Sequence, residues 1–124
     1  MNPAYRSAVF LVEGTLPATH FSIVTAYNPN GVLTDSASNA VADQQLLQAI
    51  QQTGESPVRI TGMSPDRSHQ ELGWSIEDEE EALRLAQKFS QVALYRVIEE
   101  DLFLIERETG TREKLGKWQD FVRQ

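Results

Sequence analysis

Residues 21–31, FSIVTAYNPNG, constrain the fold of this chain more than any other stretch. A run rich in β-branched and aromatic side chains ends in a corner through which neither strand nor helix continues. Pro29 fixes its own φ and removes a backbone donor, while Asn28, Asn30 and Gly31 tolerate positive φ. Phe21, Ile23 and Thr25 alternate with Val24 and Ala26, so both faces of the run are apolar, the pattern of a central strand. Sharp polar strand ends are where sheets flanked by helices tend to place ligands. No reaction motif accompanies this one.

The chain has 124 residues, 40% of them hydrophobic and 23% charged, and reads as one α+β domain over 1–124. Cysteine is absent, which excludes disulfides, thiolate zinc sites and thiol nucleophiles and points to a cytoplasmic location. The segment MNPAYRSAVFLVEG lacks a basic leader region and does not read as a signal peptide. The formal net charge is −7, with two basic and four acidic side chains in residues 1–62 and nine and fourteen in residues 63–124. An acidic chain without Lys/Arg runs repels phosphate backbones and anionic lipid, so neither nucleic acid nor membrane is an expected partner.

Around the corner, the pattern predicts a strand at 8–12, the strand at 20–27 and a polar loop. A helix then runs from about Ser36 or Ser38 to Thr53, closed by Gly54. Its sheet-facing stripe is Ala42, Leu46, Ala49, Ile50 and Thr53, and Asn39 joins that stripe in the first turn. Strands follow at 58–63 and 70–76. Ser75 is the expected cap of a second helix ending near Phe89, with Asp78 in capping-box position. Strands at 92–98 and 102–106 come next. Leu115, Trp118 and Phe121/Val122 then recur at helical spacing, predicting a short docking helix over 114–122.

The order from His20 is strand-helix-strand-strand-helix-strand, which predicts a ferredoxin-like split βαβ sandwich with a βαββαβ core over residues 20–98. Extra N- and C-terminal strands and the short C-terminal helix flank it. In that topology Tyr27, Asn28, Asn39, His69, Glu71 and Gln91 gather at one edge, beside a helix N-terminus that favours a small anionic or polar ligand. Glu71 is a candidate general base or ligand-orienting carboxylate, and His69 a candidate proton shuttle. Asn28 and Asn39 are suited to an amide, a carboxylate or a sugar hydroxyl. The same residues also suit a plain turn pinned by buried asparagines.

Other candidates carry less. Glu77 to Glu81 is an acidic run that answers a helix dipole, since consecutive helix positions diverge and cannot grip one ion. Two distant histidines give no zinc spacing, and there is no phosphate loop, nucleophile elbow or dinucleotide fingerprint. No metal or cofactor is expected.

FSIVTAYNPNG, the downstream Asn39, QELGWSI and KFSQVALY together resemble an uncharacterised bacterial family, domain of unknown function 3293. That family shows an I-T-A-aromatic-N-P strand end, a helix Asn, an E-x-S-type strand and a Q-x-A strand start. Tyr27 stands where Trp is more usual, and Glu71-Leu72-Gly73 departs from Glu-Pro-Ser, which weakens a role for a Ser hydroxyl there. The resemblance implies no activity, and it marks Asn28, Asn39, Glu71 and Gln91. The expected function is a non-catalytic interaction or regulatory module, with a homodimer through an open sheet face carrying Val24 and Ala26. The alternative is a small-molecule-binding protein or enzyme with a polar site at the Tyr27-Asn28/Asn39/Glu71 edge.

Overall fold

The structure, a computed structural model, describes residues 1–124. Eight strands form one mixed sheet: β1 (Val9–Glu13), β2 (His20–Thr25), β3 (Arg59–Met63), β4 (Gln70–Ile76), β5 (Ala93–Ile98), β6 (Asp101–Glu106), β7 (Arg112–Lys117) and β8 (Val122–Arg123). Their spatial order is β7-β6-β5-β2-β4-β3-β1-β8. Every neighbouring pair is antiparallel except β1 and β8, which are parallel. Two helices, α1 (Ser36–Gln52) and α2 (Glu79–Lys88), cover one face. Neither is long and apolar enough to cross a membrane.

The sheet curls into a half-barrel, and aromatic contacts measure the curl. Strands β1 and β5 are four places apart. In a flat sheet that separation is about 19 Å. Yet the rings of Phe10 on β1 and Tyr95 on β5 meet edge to face with centroids 4.9 Å apart. The chain also passes from one sheet edge to the other between Lys117 and Val122. A link of that length reaches at most about 18 Å. A flat eight-stranded sheet would hold its two edges about 34 Å apart.

This architecture replaces the ferredoxin-like sandwich with a C-terminal helix expected from sequence. Two observations overturn that expectation. First, the expected extra strands join the core in one eight-stranded mixed sheet that curls into a half-barrel rather than a simple sandwich: β1 pairs with β3 rather than with its sequence neighbour β2, and β6 and β7 form a hairpin on β5. Second, residues 112–117 are strand, followed by a 3-10 turn at Trp118–Asp120 and then β8. Leu115, Trp118 and Phe121 do share an apolar side, but they reach it through strand, turn and strand. Gly116 at φ +152° lies beside the irregularity in the β6–β7 register and lets the edge strand bend there.

The two faces bury different cores. Val24, Ala26, Ile76 and Leu94 pack under Leu46 and Ile50 of α1 and Leu85 of α2. Val24 and Ala26 thus face the helices, and Phe21 and Ile23 face the hollow of the curl. Phe10, Phe21, Ile60, Tyr95, Leu102 and Leu104 fill that hollow together with Trp118, whose ring lies 5.4 Å from Phe10 and 5.6 Å from Phe21.

Local chemistry explains both helix starts. The Asp35 side chain accepts from the Ser38 amide at 2.8 Å, so the cap of α1 is Asp35 rather than a serine. Asp78 caps α2 through the Glu81 amide at 3.0 Å, and Glu79, Glu80 and Glu81 complement its dipole. Ser75, the expected cap, remains inside β4 because Ile76 still pairs with Ser22, and its hydroxyl accepts from the Val58 amide.

Candidate functional site

The corner after β2 is built by asparagines. Asn28 is in the left-handed region at φ +49°, which Asn tolerates better than most side chains. Its conformation is held from three directions. The Asn28 amide donates to Asn39 Oδ1 at 2.9 Å, and Asn39 Nδ2 returns a bond to Asn28 Oδ1 at 3.1 Å. Asn28 Oδ1 also accepts from the Thr34 amide, and Asn39 Nδ2 also donates to the Thr34 carbonyl. Thr25 Oγ1 ties the end of β2 to β4 by donating to the Leu72 carbonyl and accepting from the Tyr27 amide. From the opposite side, buried Gln91 donates to the carbonyls of Tyr27 and Phe89.

One further bond links this scaffold to an open site. Asn28 Nδ2 donates to Glu71 Oε2 at 3.2 Å, and His69 Nε2 lies 2.9 Å from the same oxygen. A carboxylate only accepts, so Nε2 carries the proton in that bond. The Glu71 side chain is one-quarter exposed, and its other oxygen has no protein partner.

Glu71 and His69 stand at the polar end of a cleft of about 390 Å³ in the hollow of the sheet. Its floor is apolar: Phe10, Ile23, Ile60, Met63 and Tyr95 line it. A 3-10 turn at Pro3–Arg6 forms one wall, fastened where Tyr95 Oη donates to the Tyr5 carbonyl at 2.7 Å. Burial pushes the Tyr95 hydroxyl far above its ordinary range, and the charges of Tyr5 and Glu71 add to the shift. The Tyr5 hydroxyl is raised by burial first and by Glu71 second. Glycines open the space. At Gly73 a Cβ would come within 2.7 Å of the Val24 carbonyl oxygen, so β4 passes β2 too closely for any side chain.

The six residues read from the sequence therefore divide. Asn28, His69 and Glu71 line the cleft. Asn39 and Gln91 reach the corner but lie behind it, with their side-chain amides spent on protein partners. Tyr27 also lies outside the cleft, on the side of Asp43 and Arg59. Its hydroxyl is raised chiefly by burial and then by Asp43, with Arg59 opposing.

The sequence reading missed the aromatic walls, Tyr5, Phe10 and Tyr95. It also missed the bidentate pair of Asp43 and Arg59, both bonds 2.8 Å, with the guanidinium 3.8 Å above the Trp74 ring. A signal for the pair did exist: Asp43 follows Asn39 by one helical turn on the sheet-facing stripe, where a carboxylate requires a cation.

No cluster of three or more His, Asp or Glu side chains is placed to hold a metal ion. The cleft offers one carboxylate, one imidazole and an apolar, partly aromatic lining. No curated protein and no solved structure showed a significant match to the chain. The family model described as "Protein of unknown function (DUF3293)" matches residues 24–94. That span holds both helices, the corner with Asn28 and Asn39, and the His69–Glu71 pair, so the chain belongs to the DUF3293 family of proteins of unknown function.

Proposed function

We propose that this protein is a non-catalytic ligand-binding module whose concave cleft takes a small molecule with an apolar body. The observation that carries the reading is the combination of an apolar hollow of about 390 Å³ with one uncommitted carboxylate oxygen at its end. Ligand sites are commonly apolar cavities of roughly 300–1,000 Å³ with a few convergent polar groups. Binding rather than reaction is favoured because four of the five hydroxyls around the cleft, all but that of Tyr5, are engaged. Ser7, Thr25 and Tyr95 donate to backbone carbonyls, and Ser64 donates to Asp66.

Gly62 supplies the test. A Cβ there would meet only ordinary contacts, the nearest being Phe10 at 3.7 Å, so Gly62→Leu directs its side chain into the hollow. Fragments are screened by thermal shift. A hit at about 100 times its Kd stabilises the wild type by about 2.7 kcal/mol and loses that effect in Gly62→Leu. Hits that stabilise both proteins equally bind elsewhere and defeat the proposal.

A second reading, an interaction module, draws on Val32 and Leu33, which are 64% and 81% exposed beside the corner. Light scattering across a concentration series checks it: a monomer at every concentration removes self-association.

A further inference from the structure

We infer that the occupant of the cleft is an organic cation, a small primary ammonium compound whose head meets Glu71 and whose apolar body lies along Tyr5, Ala8 and Leu33. This deepens the cleft reading above and rests on it. The chain has eleven Lys and Arg residues, and none of them lines the cleft. Glu71 is the sole acidic side chain that does. Its Oε2 is occupied by Asn28 and His69, which leaves Oε1 directed to no protein donor.

A largely buried carboxylate with free lone pairs gains most from a charged N–H donor. The half-buried Tyr5 also lines the cleft, and the negative quadrupole density of an aromatic ring attracts the same charge. An anion has less to meet. The N-terminus of α1 would favour one, but Asp35 already places a carboxylate there, and no residue of α1 lines the cleft. The field of Glu71 also crosses the site, since it contributes to raising the hydroxyls of Tyr5 and Tyr95.

The test uses the full chain, ¹⁵N-labelled, and three probes of matched shape: 2-phenylethylammonium, 2-phenylethanol and 3-phenylpropanoate. Affinities are read from the amides of Gly62, Gly73 and Ala93, all in the cleft. The expected order has the amine at least about tenfold tighter than the alcohol, as a charge-assisted bond requires, with the carboxylate weakest. Glu71→Gln, which retains an acceptor for Asn28, is expected to erase the amine's advantage over the alcohol. If the alcohol or the carboxylate binds as tightly as the amine in the wild type, the cation assignment falls while the cleft reading stands. The cation assignment falls likewise if Glu71→Gln leaves amine affinity intact. If none of the three probes moves a cleft amide, the cleft reading falls and takes the cation with it. The wild-type order is decisive even if the variant folds poorly.

Discussion

Replacing Asn39 with alanine separates scaffold from site. The Asn39 side chain makes three hydrogen bonds, two of them to Asn28 and one to the Thr34 carbonyl. Removing it leaves the buried Asn28 amide without an acceptor, at a cost of about 1–3 kcal/mol. Asn28 Oδ1 keeps the Thr34 amide, and the half-buried Thr34 carbonyl can turn to water, so the two lost Nδ2 bonds add only about 1 kcal/mol. The expected loss is about 2–4 kcal/mol, a large share of the roughly 5–15 kcal/mol that holds a domain of this kind together. Unfolding entropy near about 2.1 cal/mol/K per residue gives about 0.26 kcal/mol/K for 124 residues, so Tm drops by about 8–15 °C.

Differential scanning calorimetry measures the drop, and hydrogen exchange at the Asn28 amide identifies its source. Asn39→Asp adds a control. It restores an acceptor for the amide but turns a carboxylate oxygen toward Asn28 Oδ1 and the Thr34 carbonyl, so it recovers little at neutral pH. A loss below about 0.5 kcal/mol in Asn39→Ala, with the Asn28 amide still protected, would show that the corner holds without this pair, and the reasoning fails.

Two further outcomes follow from single positions. Gly73→Ala forces a Cβ to 2.7 Å from the Val24 oxygen and 3.2 Å from the Ile60 oxygen, both backbone atoms that move only with their strands. Chemical denaturation should show a loss of about 1–3 kcal/mol, whereas Gly62→Ala, with its nearest contact at 3.7 Å, should be neutral or slightly stabilised. Equal effects at the two glycines would refute the close approach of β4 to β2. In the loop before β4, the Asp66 carboxyl is held down to about 2 by hydrogen bonds, first from the Ser68 amide and then from the hydroxyls of Ser64 and Ser68. Because the folded value lies below the ordinary 3.8, the order Asp66 lends this loop is complete above 3.8 and lost as pH falls through about 2. The Ser68 amide should therefore shift with a midpoint near 2 and lose that inflection in Asp66→Asn, and a midpoint at 3.8 would sink the idea.

What could be read from the sequence was local or periodic. Pro29, with Asn28, Asn30 and Gly31, ends β2 by backbone chemistry that operates wherever those residues stand. Asn39 lies on the buried stripe of α1 because helix periodicity puts it there. The convergence of His69 and Glu71 on Asn28 followed from β4 running antiparallel to β2, which the element order implied. The missed parts depend on partners remote in the chain. Tyr5 forms a wall only because β1 pairs with the distant β3, and the curl brings Tyr95 beneath it. Leu115, Trp118 and Phe121 are spaced for a helix, and only a hairpin partner in β6 and an aromatic seat on Phe10 and Phe21 make them strand and turn. Curl is a property of the whole sheet, and no window of sequence reports it. The apolar hollow it creates was for that reason invisible, although the polar rim was not.

Asn28 is where scaffold and site meet. Its carbonyl oxygen Oδ1 serves the scaffold, accepting from Asn39 and Thr34, while its Nδ2 serves the site by holding Glu71. Positive φ is what allows one short side chain to face both ways, since it turns the chain sharply enough to bring α1 and β4 to the same residue. A change at Asn28 would therefore confound folding with binding. Changes on its two sides do not: Asn39→Ala strikes stability through the buried amide, and Glu71→Gln strikes the cleft while leaving Asn28 an acceptor. If the domain is only a pinned corner, Glu71→Gln changes nothing measurable and Asn39→Ala accounts for the whole network. If the cleft is a site, the two variants dissociate, one losing melting temperature and the other losing discrimination between an amine and its neutral isostere.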